Sequence, residues 1–337
     1  MTEQNWKLFT REGKPHDGIA RLLDDDKLCP PWRNFRQRYY PKEFTASLEA
    51  PEETDPRGPR FCVSEEMAEM VNAALYLRRP LLVTGKPGAG KSSLIYAVAW
   101  QLGLGRVLRW PVNSRSALKD AIYSYDAIGR LQDAQIESEK ERSRDIGRYL
   151  RLGPLGTALL PYQRPRALLI DEIDKSDVDL PNDLLNIFEE GEYVIAELAR
   201  LKTEDATEAQ RSRIRPHDSE EPVEIFDGRL RCLHFPFIVL TSNRERDFSA
   251  PFLRRCLRLE IEQSDDEIKE IVKSHLGEKL SALAEQVIAD FNRDKLDQDL
   301  AADQLLNAVY MDSRGAAPDG EDERLKLLRK VLRPLNS

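Results

Sequence analysis

The stretch Leu81-Leu82-Val83-Thr84-Gly85-Lys86-Pro87-Gly88-Ala89-Gly90-Lys91-Ser92-Ser93 constrains this chain more than any other. It opens as an apolar run of strand type, and Leu94, Ile95, Val98 and Leu102 behind it repeat with helical spacing. The glycines between allow backbone conformations that a Cβ forbids, so successive N–H groups can converge on an anion at a helix N-terminus. Gly85, four further residues and then Gly90-Lys91-Ser92 match the P-loop spacing for a nucleotide polyphosphate. Lys91 then supplies a point charge to the β- and γ-phosphates, and the Ser92 hydroxyl is a ligand for Mg²⁺. The expected nucleotide-binding residues are Gly85, Lys86, Pro87, Gly88, Ala89, Gly90, Lys91, Ser92 and Ser93.

Two more apolar runs end in polar residues. Arg166-Ala167-Leu168-Leu169-Ile170-Asp171-Glu172 is too short for a helix and has the texture of a buried parallel strand whose C-terminal end carries function. Asp171 is expected in the Mg²⁺ shell, and Glu172 is placed to polarise the water that attacks the γ-phosphate. Phe237-Ile238-Val239-Leu240-Thr241-Ser242-Asn243 repeats the pattern, with Asn243 positioned to orient that water. Arg254-Arg255 follows eleven residues later, and a guanidinium supplied across a subunit boundary would stabilise transition-state charge.

At 337 residues the chain is long enough for two packed units and extensions. Its 51 basic and 59 acidic residues give a net charge of −8, which argues against sequence-independent nucleic-acid binding driven by overall charge. Cys29, Cys62, Cys232 and Cys256 lack metal-type spacing, and no apolar run approaches membrane-spanning length. A cytoplasmic protein without a disulfide framework is expected.

The first sixty residues hold an acidic run at Asp24-Asp25-Asp26, an aromatic cluster of Phe35, Tyr39 and Tyr40, and a Pro-rich stretch from Pro51 to Pro59. They form either an extension packed on the core or a docking arm for a partner; their aromatics favour burial. Residues 118–130 have a mostly helical pattern. Leu180 to Glu190 reads as a helix with proline in its first turn and Gly191 at its end. Residues 199–222 are almost all polar and are expected to form an exposed insertion without a core, followed by a hairpin turn at Asp227-Gly228. Beyond Glu262 the periodicity is helical, and His275 reads as a packing or capping residue.

The order of P-loop, Asp-Glu strand end, Asn strand end, arginine pair and helical tail resembles the AAA+ ATPases, most closely their MoxR branch, over roughly residues 61–310. Gly153-Pro154-Leu155-Gly156-Thr157-Ala158-Leu159-Leu160, Asp171-Glu172-Ile173-Asp174-Lys175-Ser176, Phe188-Glu189-Glu190-Gly191 and Thr241-Ser242-Asn243 carry the resemblance beyond the generic motifs. It implies a three-layer αβα core with a parallel sheet over residues 61–262, an N-terminal extension over 1–60 and a small helical lid over 263–337. Hairpin insertions are implied near 131–152 and 193–234. The resemblance also implies a Walker A at Gly85 to Ser92, a Walker B at Asp171 and Glu172, sensor 1 at Asn243, and an arginine finger at Arg255 with Arg254 beside it. Asn113 stands where related enzymes restrain the catalytic glutamate. No arginine lies in Leu300-Ala301-Ala302-Asp303-Gln304-Leu305-Leu306, so sensor 2 is absent, displaced to Arg314 or supplied in trans. The activity implied is ATP hydrolysis at the subunit interfaces of a homo-oligomeric ring, a hexamer, that remodels a protein client. The alternatives are a slow ATP-dependent switch or scaffold in bacterial signalling or defence and, disfavoured by charge, a nucleic-acid motor.

Overall fold

A computed structural model describes residues 6–11, 13–40, 44–52, 55–133, 146–200, 210–262, 307 and 310–311. Five strands, β1 (Leu81–Gly85), β2 (Leu108–Pro111), β5 (Ala167–Asp171), β10 (Phe237–Ser242) and β11 (Leu257–Ile261), form one parallel sheet in the order β11-β1-β10-β5-β2. The three inner strands are continuous apolar runs because helices cover both of their faces. Leu82, Leu168, Ile170, Ile238 and Leu240 enter one buried cluster. Leu81, Val83, Ala167, Leu169, Phe237 and Val239 alternate to the other. On β2, Leu108 and Trp110 are buried while Arg109 and Pro111 are exposed, a pattern suited to an edge strand, where proline costs no ladder bond.

Four helices supply the outer layers. Helices α1 (Glu65–Leu77) and α2 (Leu94–Leu102) pack into the cluster of Leu81 and Val83. Helices α3 (Pro154–Ala158) and α4 (Leu180–Glu190) pack into the other. The core is therefore the αβα sandwich expected. Ser64 caps α1 by accepting from Met67 N at 3.2 Å. Gly191 ends α4 with φ 62°, a left-handed conformation at little cost to glycine.

The N-terminal segment packs on this core. Leu8, Phe9, Ile19 and Leu22 join the α1 and α2 cluster, and buried Asn72 on α1 accepts from Leu8 N at 2.6 Å and Phe9 N at 2.9 Å. Phe35 inserts into the opposite cluster.

Two sequence expectations change. Residues 118–130 are not continuously helical: strand β3 (Tyr123–Tyr125) interrupts them and pairs antiparallel with β4 (Leu150–Leu152). The polar stretch 199–222 is not without a core. Within it β7 (Arg211–Ile214) pairs with β8 (Val223–Phe226), completing an antiparallel sheet of order β6-β9-β8-β7 with β6 (Glu192–Val194) and β9 (Arg229–Arg231). Ile214 and Ile225 are buried, and the buried Arg166 guanidinium bonds Asp218 at 2.5 Å, tying the insertion to the start of β5. The β8–β9 turn follows its Asp-Gly signal, with φ 53° at Asp227 and 64° at Gly228. Of the helices expected beyond Glu262, residues 307 and 310–311 alone are described; His275, Arg314, residues 134–145 and residues 201–209 lie outside the described residues.

Candidate functional site

The strand order explains why distant motifs meet. Strands β1, β10 and β5 are adjacent and parallel, so their C-terminal ends open on one edge of the sheet, where α/β folds place ligands. At the end of β1, Gly85 has φ 151° and Gly90 has φ 79°. A Cβ on Gly85 would lie 2.5 Å from the Ile261 carbonyl oxygen of β11, so glycine is required there for spacing as well as conformation. Lys86, Pro87 and Gly88 form the exposed crown of the loop, Ala89 is buried beneath it, and Ser93 N donates back to Gly90 O at 2.9 Å.

Lys91 is buried, and its Nζ donates to Gly85 O at 2.9 Å, Lys86 O at 2.8 Å and Asn243 Oδ1 at 2.7 Å. Burial pushes its pKa down, opposed by the carboxylates of Asp174, Asp171 and Glu172. Ser92 Oγ donates to Asp171 Oδ1 at 2.7 Å, and Thr241 Oγ1 donates to the same oxygen at 2.8 Å. Arg109 Nη2 reaches Asp171 Oδ2 at 2.8 Å. Burial alone would raise the Asp171 pKa, but the bonds from Ser92, Thr241 and Arg109 hold it below the usual carboxylate range.

Glu172 lies half exposed with φ 61°, an uncommon conformation for a residue with a side chain. Its N–H donates to Thr241 Oγ1 at 2.9 Å, and its carboxylate meets Lys175 Nζ at 2.9 Å. Asp174, equally close to the strand ends, accepts from Ser242 Oγ at 3.0 Å, Asn243 N at 2.8 Å and Glu245 N at 3.2 Å, fixing the turn that carries Asn243.

This is a three-layer αβα fold with a P-loop-type glycine turn at the end of β1.

The fold rests on that topology, since sequence comparison is silent: no protein-family model and no curated protein matches the chain. Among solved structures, a protein of Cytophaga hutchinsonii provisionally described as an ATPase aligns at 12% identity and TM-score 0.35, over 62% of this chain and 50% of that one. The chain thus spans about half the length of that neighbour. The Holliday junction branch migration motor RuvB of Thermotoga maritima aligns at 16% identity and TM-score 0.36, over 80% of this chain and 67% of that one.

The structure brings Gly85 to Ser93, Asp171, Glu172 and Asn243 together and leaves the arginine pair elsewhere. Arg254 and Arg255 end helix α5 (Ala250–Arg255), just before β11 begins, and β11 runs parallel to β1 with Leu81 opposite Leu257. They therefore lie at the sheet edge opposite the glycine loop. Arg255 Nε pairs with Glu189 Oε1 at 2.9 Å, and Arg79 Nη1 donates to Arg254 O at 2.8 Å. Asn113 sits in a turn after β2, where its Oδ1 accepts from Arg115 N at 2.9 Å. Thr241, Asp174 and Arg109 are site neighbours that the sequence reading did not assign. The only signal for Arg109 was a charged residue alternating with Leu108 and Trp110 in a strand.

A hydroxyl and a carboxylate, Ser92 and Asp171, form a donor set suited to a hard dication such as Mg²⁺, and the glycine loop suits a polyphosphate. Among the described residues, no cluster of three His, Cys, Asp or Glu suits a metal by itself, and no helix is long and apolar enough to cross a membrane.

Proposed function

We propose that the protein is an ATPase of the AAA+ type, resembling the MoxR branch, that binds and hydrolyses ATP with Mg²⁺ at the subunit interfaces of a ring. The observation that carries this reading is one connected network: Lys91 bonds Asn243, Ser92 and Thr241 bond Asp171, and Thr241 takes the Glu172 N–H. The loop, the Asp171 carboxylate, the Glu172 backbone and Asn243 are thus held relative to one another, the form of preorganisation that phosphoryl transfer exploits.

In this reading Lys91 and the backbone N–H groups of the loop hold the β- and γ-phosphates. Ser92 and Asp171 hold Mg²⁺, which when bound neutralises phosphate charge. Glu172 takes the proton of the attacking water, and Asn243 orients that water. Arg255 acts on the neighbouring subunit's nucleotide. Closure of the interface would turn a ring, six-membered by its resemblance, against a client protein in the cytoplasm. Glu172→Gln is expected to lower ATP turnover at least about a hundredfold while retaining ATP binding, and Lys91→Ala to abolish binding. Wild-type turnover in the first variant, or normal binding in the second, would sink the assignment.

The Glu172–Lys175 ion pair favours a second reading, an ATP-dependent switch with slow turnover, because the carboxylate must release Lys175 before it can engage an attacking water. Equal assembly with ATP and with a non-hydrolysable analogue, together with turnover slower than partner release, would select it.

A further inference from the structure

Arg109 occupies an unexpected place for a cation. It projects from the edge strand β2 in register with Leu169, and Asp171, two residues further along β5, shares the face of Leu169. Its guanidinium bonds Asp171 Oδ2 at 2.8 Å, while the other oxygen of the same carboxylate takes the Ser92 hydroxyl at 2.7 Å. One carboxylate thus separates a permanent positive charge from the hydroxyl proposed to hold Mg²⁺. Arg57, by contrast, stacks on the Tyr96 ring at 3.6 Å and is neutralised by Asp55 at 2.6 Å. Arg109 has its ion pair with Asp171, and its side chain is 54% exposed against 10% for Asp171. An exposed guanidinium on a long stem can swing away at little cost, whereas the carboxylate stays held by two other donors, Ser92 and Thr241.

We propose that Arg109 is an exchangeable counter-ion of Asp171: it neutralises the carboxylate, yields it to Mg²⁺ and transfers its charge to the incoming polyphosphate. The proposal rests on the nucleotide-site reading above and adds a residue and a direction to it. Electrostatics fixes the sign on both sides. A like charge beside a dication site weakens Mg²⁺ binding, and the same charge beside a polyphosphate strengthens binding of the metal-free nucleotide. Merely orienting Asp171 would give the opposite result for Mg²⁺, since removing an orienting partner weakens a metal site.

The test measures binding, not turnover. A fluorescent non-hydrolysable ATP analogue is titrated into the wild-type protein, Arg109→Gln and Arg109→Lys, first in EDTA and then with increasing Mg²⁺. For Arg109→Gln the half-saturating Mg²⁺ concentration is expected to fall about three- to tenfold, and affinity in EDTA to weaken by a similar factor, the scale of a half-exposed ion pair. Arg109→Lys, which keeps the charge and loses the planar fork, is expected to stay within about twofold of wild type in both measurements. A higher Mg²⁺ requirement in Arg109→Gln, no change in either measurement, or Arg109→Lys behaving as Arg109→Gln would overturn the proposal and leave the nucleotide site standing. If the wild-type protein does not bind the analogue, or binds it without regard to Mg²⁺, the nucleotide-site reading falls and takes this proposal with it.

Discussion

Thr241 shows how a single hydroxyl couples two strand ends: it donates to Asp171 Oδ1 at 2.8 Å and accepts from Glu172 N at 2.9 Å. Thr241→Val keeps the shape and leaves both partners short of a bond in a buried setting. It is expected to cost about 1–3 kcal/mol in urea unfolding, with Thr241→Ser retaining most of the stability. A Val variant as stable as wild type would show that water replaces the hydroxyl. His234 offers a pH test. Burial, reinforced by Arg78 and Arg36, lowers its pKa from the usual 6.5 to about 3, so it is neutral in the fold. The unfolded chain then binds the proton first as pH falls, so this contribution is complete above pH 6.5 and is lost progressively toward pH 3. Between pH 7.5 and 5 the stability of wild type is expected to drop by about 2 kcal/mol more than that of His234→Gln, by urea midpoints at the two pH values. Equal drops would place the proton elsewhere. At this scale the glycine loop was readable because its chemistry is local in sequence. Thr241, Asp174 and Arg109 were not, because their roles depend on strand order that no spacing along the chain encodes.

The segment around Arg33 is the element with the greatest reach. The buried Arg33 guanidinium donates to the carbonyl oxygens of Phe188 and Arg78, and Tyr39 Oη donates to Glu190 O at 2.7 Å. The last turn of α4 and the end of α1 thus receive cationic and hydroxyl donors at carbonyls that a helix leaves unpaired. Phe235 flanks the guanidinium at 4.4 Å. Arg33→Ala removes the donors and leaves buried carbonyls, with an expected loss of about 2–4 kcal/mol and faster amide exchange in residues 184–191. Unchanged exchange there would mean that α4 holds its end without the arm. The aromatics of this segment announced burial, but its target 155 residues away did not show in the sequence. Strand β7 was hidden for a different reason. Arg211-Ser212-Arg213-Ile214 presents one buried apolar side chain, too few to display a period of two through the surrounding charge.

For the whole molecule, the sheet's polarity separates two halves of the proposed chemistry. Strands β1 and β11 pair from Leu81↔Leu257 to Gly85↔Ile261, a span of about 13 Å at 3.3 Å per residue, and Arg255 precedes the far end. Arg255 is therefore too far from its own loop to touch the same nucleotide, and its use requires a neighbour. Its pairing with Glu189, whose other oxygen lies 3.9 Å from Arg33, links the arginine to the N-terminal segment and to α4. A subunit-mixing experiment follows from this geometry. Lys91→Ala keeps the arginine and loses the loop; Arg255→Ala keeps the loop and loses the arginine. Each alone is expected to be nearly inactive as an ATPase. An equimolar mixture should recover activity, because an interface that joins the intact loop of one variant to the intact arginine of the other is complete. Random assembly in a closed ring makes about a quarter of the interfaces complete, so recovery should approach that fraction of wild-type turnover. A mixture no more active than its components, with ring assembly retained by size-exclusion chromatography, would remove Arg255 from the shared site. Full activity of Arg255→Ala alone would show that the loop, Asp171, Glu172 and Asn243 suffice within one chain.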